Sequence, residues 1–575
     1  MTSRPTSQPL SELSKITPMK MLLHTPVLFL LFAAPVLLFG QAGLDPSEIL
    51  KPLGDQWPTY NGDYSARRYS SLKQIDQANV KNLSLAWVTR FTAGSGPNGN
   101  IAPPPAGRGA PAPYPVNIGG LGTGDLNAGG NPRLGGGILM VDGILYMSAP
   151  DNAWAVDARD GTILWQYYWK TRGGTHTGNR GMGMWHDNLY LEVHDDYLIC
   201  LDSHTGREKW KKEISSFDQQ YFSSFSPIVI GNHLLVGTGN DMDAPGFLQS
   251  FDPETGDRQW ITYTVPMNSG DPGLETWASL DAARHGGAQV WIPGAYDPET
   301  HIYVFGTGNP TPAYTTGRGE GDNLYTCSLI AINVDTGKMV WYYQTSPHDT
   351  HDWDSTETPV FVDAPFNGRM RKLVLTAQRN GYFFVLDRVT GEHLVTGKMG
   401  LVNNWALGLD EKGRPKRNPA KDATIAGSLV NADVTNFPPP AFSPDTGLFY
   451  VPENNTLRVS YLIDTDPRGS MGLGGIMSGG FLSYGTYIDA IDYKTGKIVW
   501  RHEIAGGVGL LATAGNLLFS GDGQNLVAYD PATGKPLWHS RIGPAGNAPE
   551  TYMLDGRQFI LATGGDQLFA FVLNQ

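Results

Sequence analysis

Two cysteines in 575 residues is the first scarcity. Cys200 sits in YLICLD and Cys327 in LYTCSL, both strand-like apolar contexts, so each reads as a small buried hydrophobe rather than half of a disulfide. No Cys-x-x-Cys-His occurs, which excludes a covalently attached c-type haem in this chain. Charge is thin as well: 17% of residues are Asp, Glu, Lys or Arg, with a net balance of -13. No basic stripe is visible, and this excludes a nucleic-acid partner, because phosphate binding needs clustered Lys and Arg. The longest apolar run, VLFLLFAAPVLLF at 27–39, is broken by Pro35 and is short for a bilayer span. Arg4, Lys15 and Lys20 precede it and GQAG follows. That order predicts a secretory signal peptide over 1–42, with Met19 or Met21 as alternative starts, and export without a stable membrane span after cleavage.

What is abundant is glycine (71), proline (41) and aromatic residues, including 15 Trp and 25 Tyr. This suits many short strands joined by tight turns and predicts an all-β chain. One pattern recurs seven times: Asp or Asn, three residues, Gly, three residues, then Trp or, once, Val. The copies are DARDGTILW (157–165), DSHTGREKW (202–210), DPETGDRQW (252–260), NVDTGKMVW (333–341), DRVTGEHLV (387–395), DYKTGKIVW (492–500) and DPATGKPLW (530–538). Each follows a β-rich run. The unit therefore reads as strand, Asp-initiated turn with glycine at a positive φ, then strand, with the Trp packing between neighbouring units. Repeats of roughly 40 to 50 residues built from short strands predict a β-propeller, one domain over 43–575. LSLAWV (83–88) and LFAFVL (568–573) are placed to pair and close the ring. The Gly/Pro-rich stretch 92–137, with APPPAGRGAPAPYP, predicts an insertion loop.

Residues 347–354 read PHDTHDWD. A surface turn explains such a stretch by default. The sharper reading is that Asp352 and Asp354, two apart, face one hard cation from a short segment. His348 and His351 do not make a zinc site, since no third ligand is visible and the neighbourhood is oxygen-rich; they read as surface residues or as support behind the aspartates.

Together with this stretch, the motifs GNRGMGMW, GAYDPETHIYVFGTGNP, GDNLYTCSLIAINVDTG, RNGYFFVLDRVTGE and FPPPAFSPDTGLFYVP make the chain resemble the pyrroloquinoline-quinone (PQQ) dependent alcohol dehydrogenases from about Trp57 onward. The resemblance implies an eight-bladed propeller holding PQQ and one metal. It implies that Asp352 is the catalytic aspartate taking the alcohol proton, and that Arg379 hydrogen-bonds the reactive quinone oxygen. Asp241, Asn309, Asp352 and Asp354 fall on the metal-binding positions, an all-oxygen set suited to Ca²⁺ or, with the extra carboxylate of Asp354, a lanthanide. Trp291 aligns with the tryptophan beneath the cofactor, while Arg180, Ser224 and Asn436 align with further cofactor contacts. The implied activity is oxidation of a primary alcohol or similar polyol in the bacterial periplasm, with electrons passed to a separate c-type cytochrome.

The chain also departs from the family. Gly174 and Thr175 stand where adjacent cysteines form a disulfide over the cofactor, Gly135 stands for a quinone-binding glutamate, and GGVG (506–509) replaces a late tryptophan. These losses resemble the divergent group described as empty quinoproteins and keep a second reading open, a non-catalytic propeller serving as a binding or assembly scaffold. Retention of Asp352, Asn309 and Arg379 favours the enzyme.

Overall fold

Turn chemistry sets the repeating element. In the computed structural model, which describes residues 43–94, 116–127, 129–173, 176–314, 317–463, 474 and 476–574, all seven motif glycines have φ between 66° and 79°. Each donates its N–H to the carbonyl of the Asp or Asn four residues earlier at 2.8–2.9 Å. Only glycine takes that conformation without a steric cost, so the motif fixes the turn between the last two strands of a sheet. Strands dominate, and the one α-helix among the described residues is Leu280–Arg284. The chain is an all-β propeller. Among the described residues eight sheets carry four or more strands, and a further ribbon pairs Ala406–Leu409 with Pro415–Arg417.

The motif tryptophans, together with Trp87 of Leu83–Arg90, join one sheet to the next. Trp87, Trp165, Trp210, Trp260, Trp341 and Trp500 each lie against the motif glycine of the following sheet: Gly161, Gly206, Gly256, Gly337, Gly391 and Gly534. A methyl group added at Gly391 would fall 2.8 Å from the Trp341 ring, so the glycine serves both the turn and the docking. Where Val395 replaces Trp, it touches Gly496, and there the backbones of Gly397 and Gly496 draw together instead. Trp538 donates its indole N–H to the carbonyl of Leu83 at 3.1 Å. Leu83 opens the strand Leu83–Arg90, which carries Trp87, so the path of contacts returns to its start. That strand pairs antiparallel with Gln567–Leu573, with Leu83 opposite Leu573 and Arg90 opposite Gln567, as the sequence predicts. Trp341 is 8% exposed, and its indole donates to the Arg388 carbonyl at 3.0 Å. Trp341→Ala is expected to cost roughly 3–5 kcal/mol through the cavity it leaves, seen as a lower unfolding midpoint in denaturant.

Both cysteines are free and buried, as expected. The insertion needs correction. Residues 95–115 and 128 lie outside the described residues, but Val116–Gly122 forms a strand parallel to Ile163–Thr171, and Leu126–Asn127 pairs antiparallel with the same strand. Composition suggested a plain loop; instead the segment covers the open edge of a sheet, which otherwise presents unpaired N–H and C=O groups. Glycine permits the approach, since a Cβ at Gly119 would lie 2.0 Å from the Tyr168 carbonyl oxygen. The signal peptide expected over 1–42 and the departures at Gly174 and Thr175 also lie outside the described residues. Among the described residues no helix is long and apolar enough to cross a membrane.

Candidate functional site

The 347–354 stretch is folded by its first aspartate. Buried Asp349 accepts the N–H of His351 at 3.0 Å through Oδ1, and those of Asp352 and Trp353 at 2.9 and 3.0 Å through Oδ2. This turn holds Asp352 at φ 69°. Trp353 is buried against Trp405 and against the parallel ring of His351, with centroids 5.8 and 5.6 Å away. Both histidines are buried, so a surface placement is corrected: His351 packs on Trp353, and His348 Nδ1 lies 2.7 Å from the Gly321 carbonyl.

Asp352 and Asp354 line one cavity of about 730 Å³ together with Asp241, Arg379, Arg180, Ser224, Trp291 and Asn436. Asn309 is fully buried and joins them through its N–H, which donates to Asp354 Oδ1 at 2.7 Å. Arg379 ties the carboxylates together. One arm of its guanidinium donates to Asp354 Oδ2; Nη2 reaches Asp433 Oδ2 at 2.9 Å and Asp352 Oδ2 at 3.4 Å. Asn240 Nδ2 also donates to Asp354 Oδ2, at 2.9 Å. Burial pushes Asp352 well above the usual carboxylate range and Asp354 up to about 7, with Arg379 pulling both down and Asp241 pushing both up.

The oxygens left over are informative. Asp241 Oδ1, Asn309 Oδ1 and Asp352 Oδ1 are buried and have no hydrogen-bond partner. Partnerless buried oxygens are costly; those of Asp241 and Asp352, which line the cavity, with that of Asn309, whose main chain is bonded to Asp354, fit a hard cation with oxygen ligands. Asp354 differs, because both of its oxygens already serve Asn309, Asn240 and Arg379. Among the described residues no three His, Cys, Asp or Glu side chains gather closely enough to hold a metal by themselves. Asp241 Oδ2 lies 3.2 Å from His176 Nε2, a contact that raises the histidine above its ordinary value.

On the other side of the cavity, the Arg180 guanidinium lies 4.2 Å from the Trp291 ring centroid and 5.3 Å from that of Phe437. Its Nη1 donates to the Ser224 carbonyl at 2.9 Å, so Ser224 contributes main chain here. Burial lowers Arg180 to about 10. The Trp291 face expected to carry a flat ligand thus holds an arginine side chain. Asn436 donates to Asp433 Oδ2 at 3.1 Å. Sequence reasoning missed Asp433, Phe437, Asn240 and His176. Asn240 adjoins Asp241, and Asp433 and Phe437 lie close to Asn436 in NADVTNF, but that closeness alone marks none of them as a partner.

The fold and the pocket define a β-propeller whose inter-sheet loops converge on a buried carboxylate and guanidinium site. Residues 57–404 match the family described as PQQ: glucose/ethanol/alcohol dehydrogenase, beta-propeller domain; residues 485–573 match a second repeat family described as outer membrane protein assembly factor BamB. The chain is 30% identical to the quinoprotein alcohol dehydrogenase PedH of Pseudomonas putida, over 92% of this chain and 89% of that protein. It is 32% identical to a quinohemoprotein alcohol dehydrogenase of Comamonas testosteroni, over 88% of this chain and 72% of that one. A europium-containing methanol dehydrogenase superposes with a TM-score of 0.76 at 25% identity, covering 92% of this chain and 100% of the other. The chain belongs to the family of PQQ-dependent alcohol dehydrogenases.

Proposed function

We propose that this chain is an exported, periplasmic quinoprotein that oxidises an alcohol, its eight sheets forming the eight blades of one ring. The observation that carries the reading is the Arg379 fork: one guanidinium binds Asp352 and Asp354 in a cavity large enough for a cofactor, which Asp241 also lines, and Asp241 Oδ1 and Asp352 Oδ1 have no partner. A purely structural propeller has no use for that arrangement. When bound, PQQ supplies the acceptor for the hydride equivalent that leaves the alcohol carbon as the carbonyl product forms.

The chain's own residues do the rest. With a cation held beside it Asp352 would stay ionised and would receive the hydroxyl proton. Arg379 holds Asp352 in place and presents N–H groups where negative charge develops. Asp241, Asn309 and Asp352 hold Ca²⁺ or a lanthanide, and Asp354 anchors Arg379 and the Asn309 main chain. Reassignment of Asp354 to the cation requires it to give up Arg379. Arg180 offers charge-assisted hydrogen bonds to a cofactor carboxylate, with Ser224 and Asn436 at the edges, and Trp291 carries a flat ring only if Arg180 leaves its face. Electrons leave to a c-type cytochrome. The test is titration of purified protein with PQQ in the presence of Ca²⁺ or La³⁺, followed by absorbance and dye-linked alcohol oxidation. Saturable uptake with activity is expected; absence of saturable binding with either ion sinks the enzyme reading.

A further inference from the structure

Beside the main cavity lies a second one of about 260 Å³, and the two share Arg133, Gly135 and Phe437. One wall of it is bare main chain, Gly506, Gly507, Gly509 and Gly546. At the junction, a Cβ built on Gly135 would meet only the Gly546 carbonyl oxygen, at 3.5 Å. Interiors pack closely, so an opening of this size next to a ligand pocket invites an occupant.

Three buried charged or polar side chains line it, Glu550 at 1%, Arg68 at 1% and Asn547 at 3% exposure. Glu550 Oε1 accepts the Ile138 N–H at 3.0 Å, while Oε2 has no partner. Asn547 Oδ1 accepts the Thr563 N–H and hydroxyl at 2.9 and 3.0 Å, while its Nδ2 donor has no partner. Arg68, which also lines the cavity, is used up: it donates to the carbonyls of Leu510, Tyr60 and Pro549 at 2.8, 3.1 and 2.8 Å. Burial pushes the Glu550 carboxyl up to about 8 against the pull of Arg68. The raised carboxyl favours its protonated form, in which the unpartnered Oε2 is a donor. Two unsatisfied donors on one small cavity call for an acceptor oxygen.

We propose that the cavity formed by Glu550, Asn547 and the bare main chain at 506–509 is a subsite for an oxygen-bearing group of the ligand held in the main cavity. It rests on the cofactor and substrate assigned under Proposed function. The oxygen comes from one of two sources, a carboxylate or carbonyl of the quinone, or a second oxygen on the alcohol substrate.

The experiment compares wild type with Glu550→Leu, Glu550→Gln and Asn547→Asp, each checked for folding by thermal melting. Two quantities are read: the Kd of PQQ in the presence of Ca²⁺, and the ratio of kcat/KM for α,ω-diols over the matching n-alkanols. Loss of one hydrogen bond is worth about tenfold. Glu550→Leu raises the PQQ Kd by about tenfold with the diol ratio unchanged if the oxygen is the cofactor's. It lowers the diol ratio by about tenfold with Kd unchanged if the oxygen is the substrate's. Glu550→Gln keeps an N–H at that place and an acceptor for Ile138, so it behaves as wild type. Asn547→Asp replaces the other donor with little change of shape and shifts the same quantity as Glu550→Leu, which keeps the test decisive if that variant misfolds. Wild-type values of both quantities in folded Glu550→Leu or Asn547→Asp overturn the subsite and leave the enzyme reading standing. No PQQ uptake by wild type overturns both.

Discussion

Asp352→Asn lowers kcat for dye-linked alcohol oxidation by about a thousandfold, within the range for removal of a positioned general base, while PQQ uptake stays saturable. The substitution is nearly isosteric and keeps an oxygen for Arg379 and for Tyr314, whose hydroxyl lies 3.3 Å from Asp352 Oδ2. What it removes is the capacity to take a proton. Because Asp352 is also assigned to the cation, the assay runs at saturating Ca²⁺, and weaker metal affinity then shows separately as a shifted Ca²⁺ dependence. A kcat within a few-fold of wild type would show that another group accepts the proton.

Arg379→Ala is expected to do more damage to the fold than to any single contact. The guanidinium is the shared partner of Asp352, Asp354 and Asp433, and Asp354 is fully buried. Removing one member of a buried ion pair leaves uncompensated charge and typically costs 3–5 kcal/mol. The unfolding midpoint drops accordingly, and activity disappears with it. Arg379→Lys recovers part of the stability, since an ammonium supplies the charge, but not the activity, since a single nitrogen cannot fork between carboxylates as guanidinium does. If Arg379→Ala unfolds at the wild-type midpoint, the carboxylates do not depend on it, and the site needs another account.

Much of this was readable because it is local. The seven turns follow from an Asp and a Gly four residues apart, and the docking of each Trp follows from its fixed distance to that Gly. Asp352 and Asp354 face one cavity because alternate residues of a short segment share a side, with Trp353 driven the other way into the core. What was not readable depends on chain segments distant in sequence. Asp433 meets Arg379 across 54 residues, and nothing in NADVTNF marks its aspartate as a partner. The expectation of a plain loop at 92–137 failed for the same reason: a glycine-rich segment becomes a strand when a distant edge offers hydrogen bonds, and composition does not report the edge. The Trp291 ring was legible as a platform, whereas the arginine lying on it was not, since only the folded chain brings Arg180 against both Trp291 and Phe437.

The pairing of Leu83–Arg90 with Gln567–Leu573 also sets an order of events during synthesis. One sheet takes its outermost strand from the beginning of the chain and the other three from the end, so it cannot be completed until the last residues have left the ribosome. Until then the early strand is without its partner and the first sheet lacks a neighbour for its outward face. The polypeptide therefore stays open until residues 567–573 have been made, and under the export proposed above the final turn of the circle would be left for the far side of the membrane.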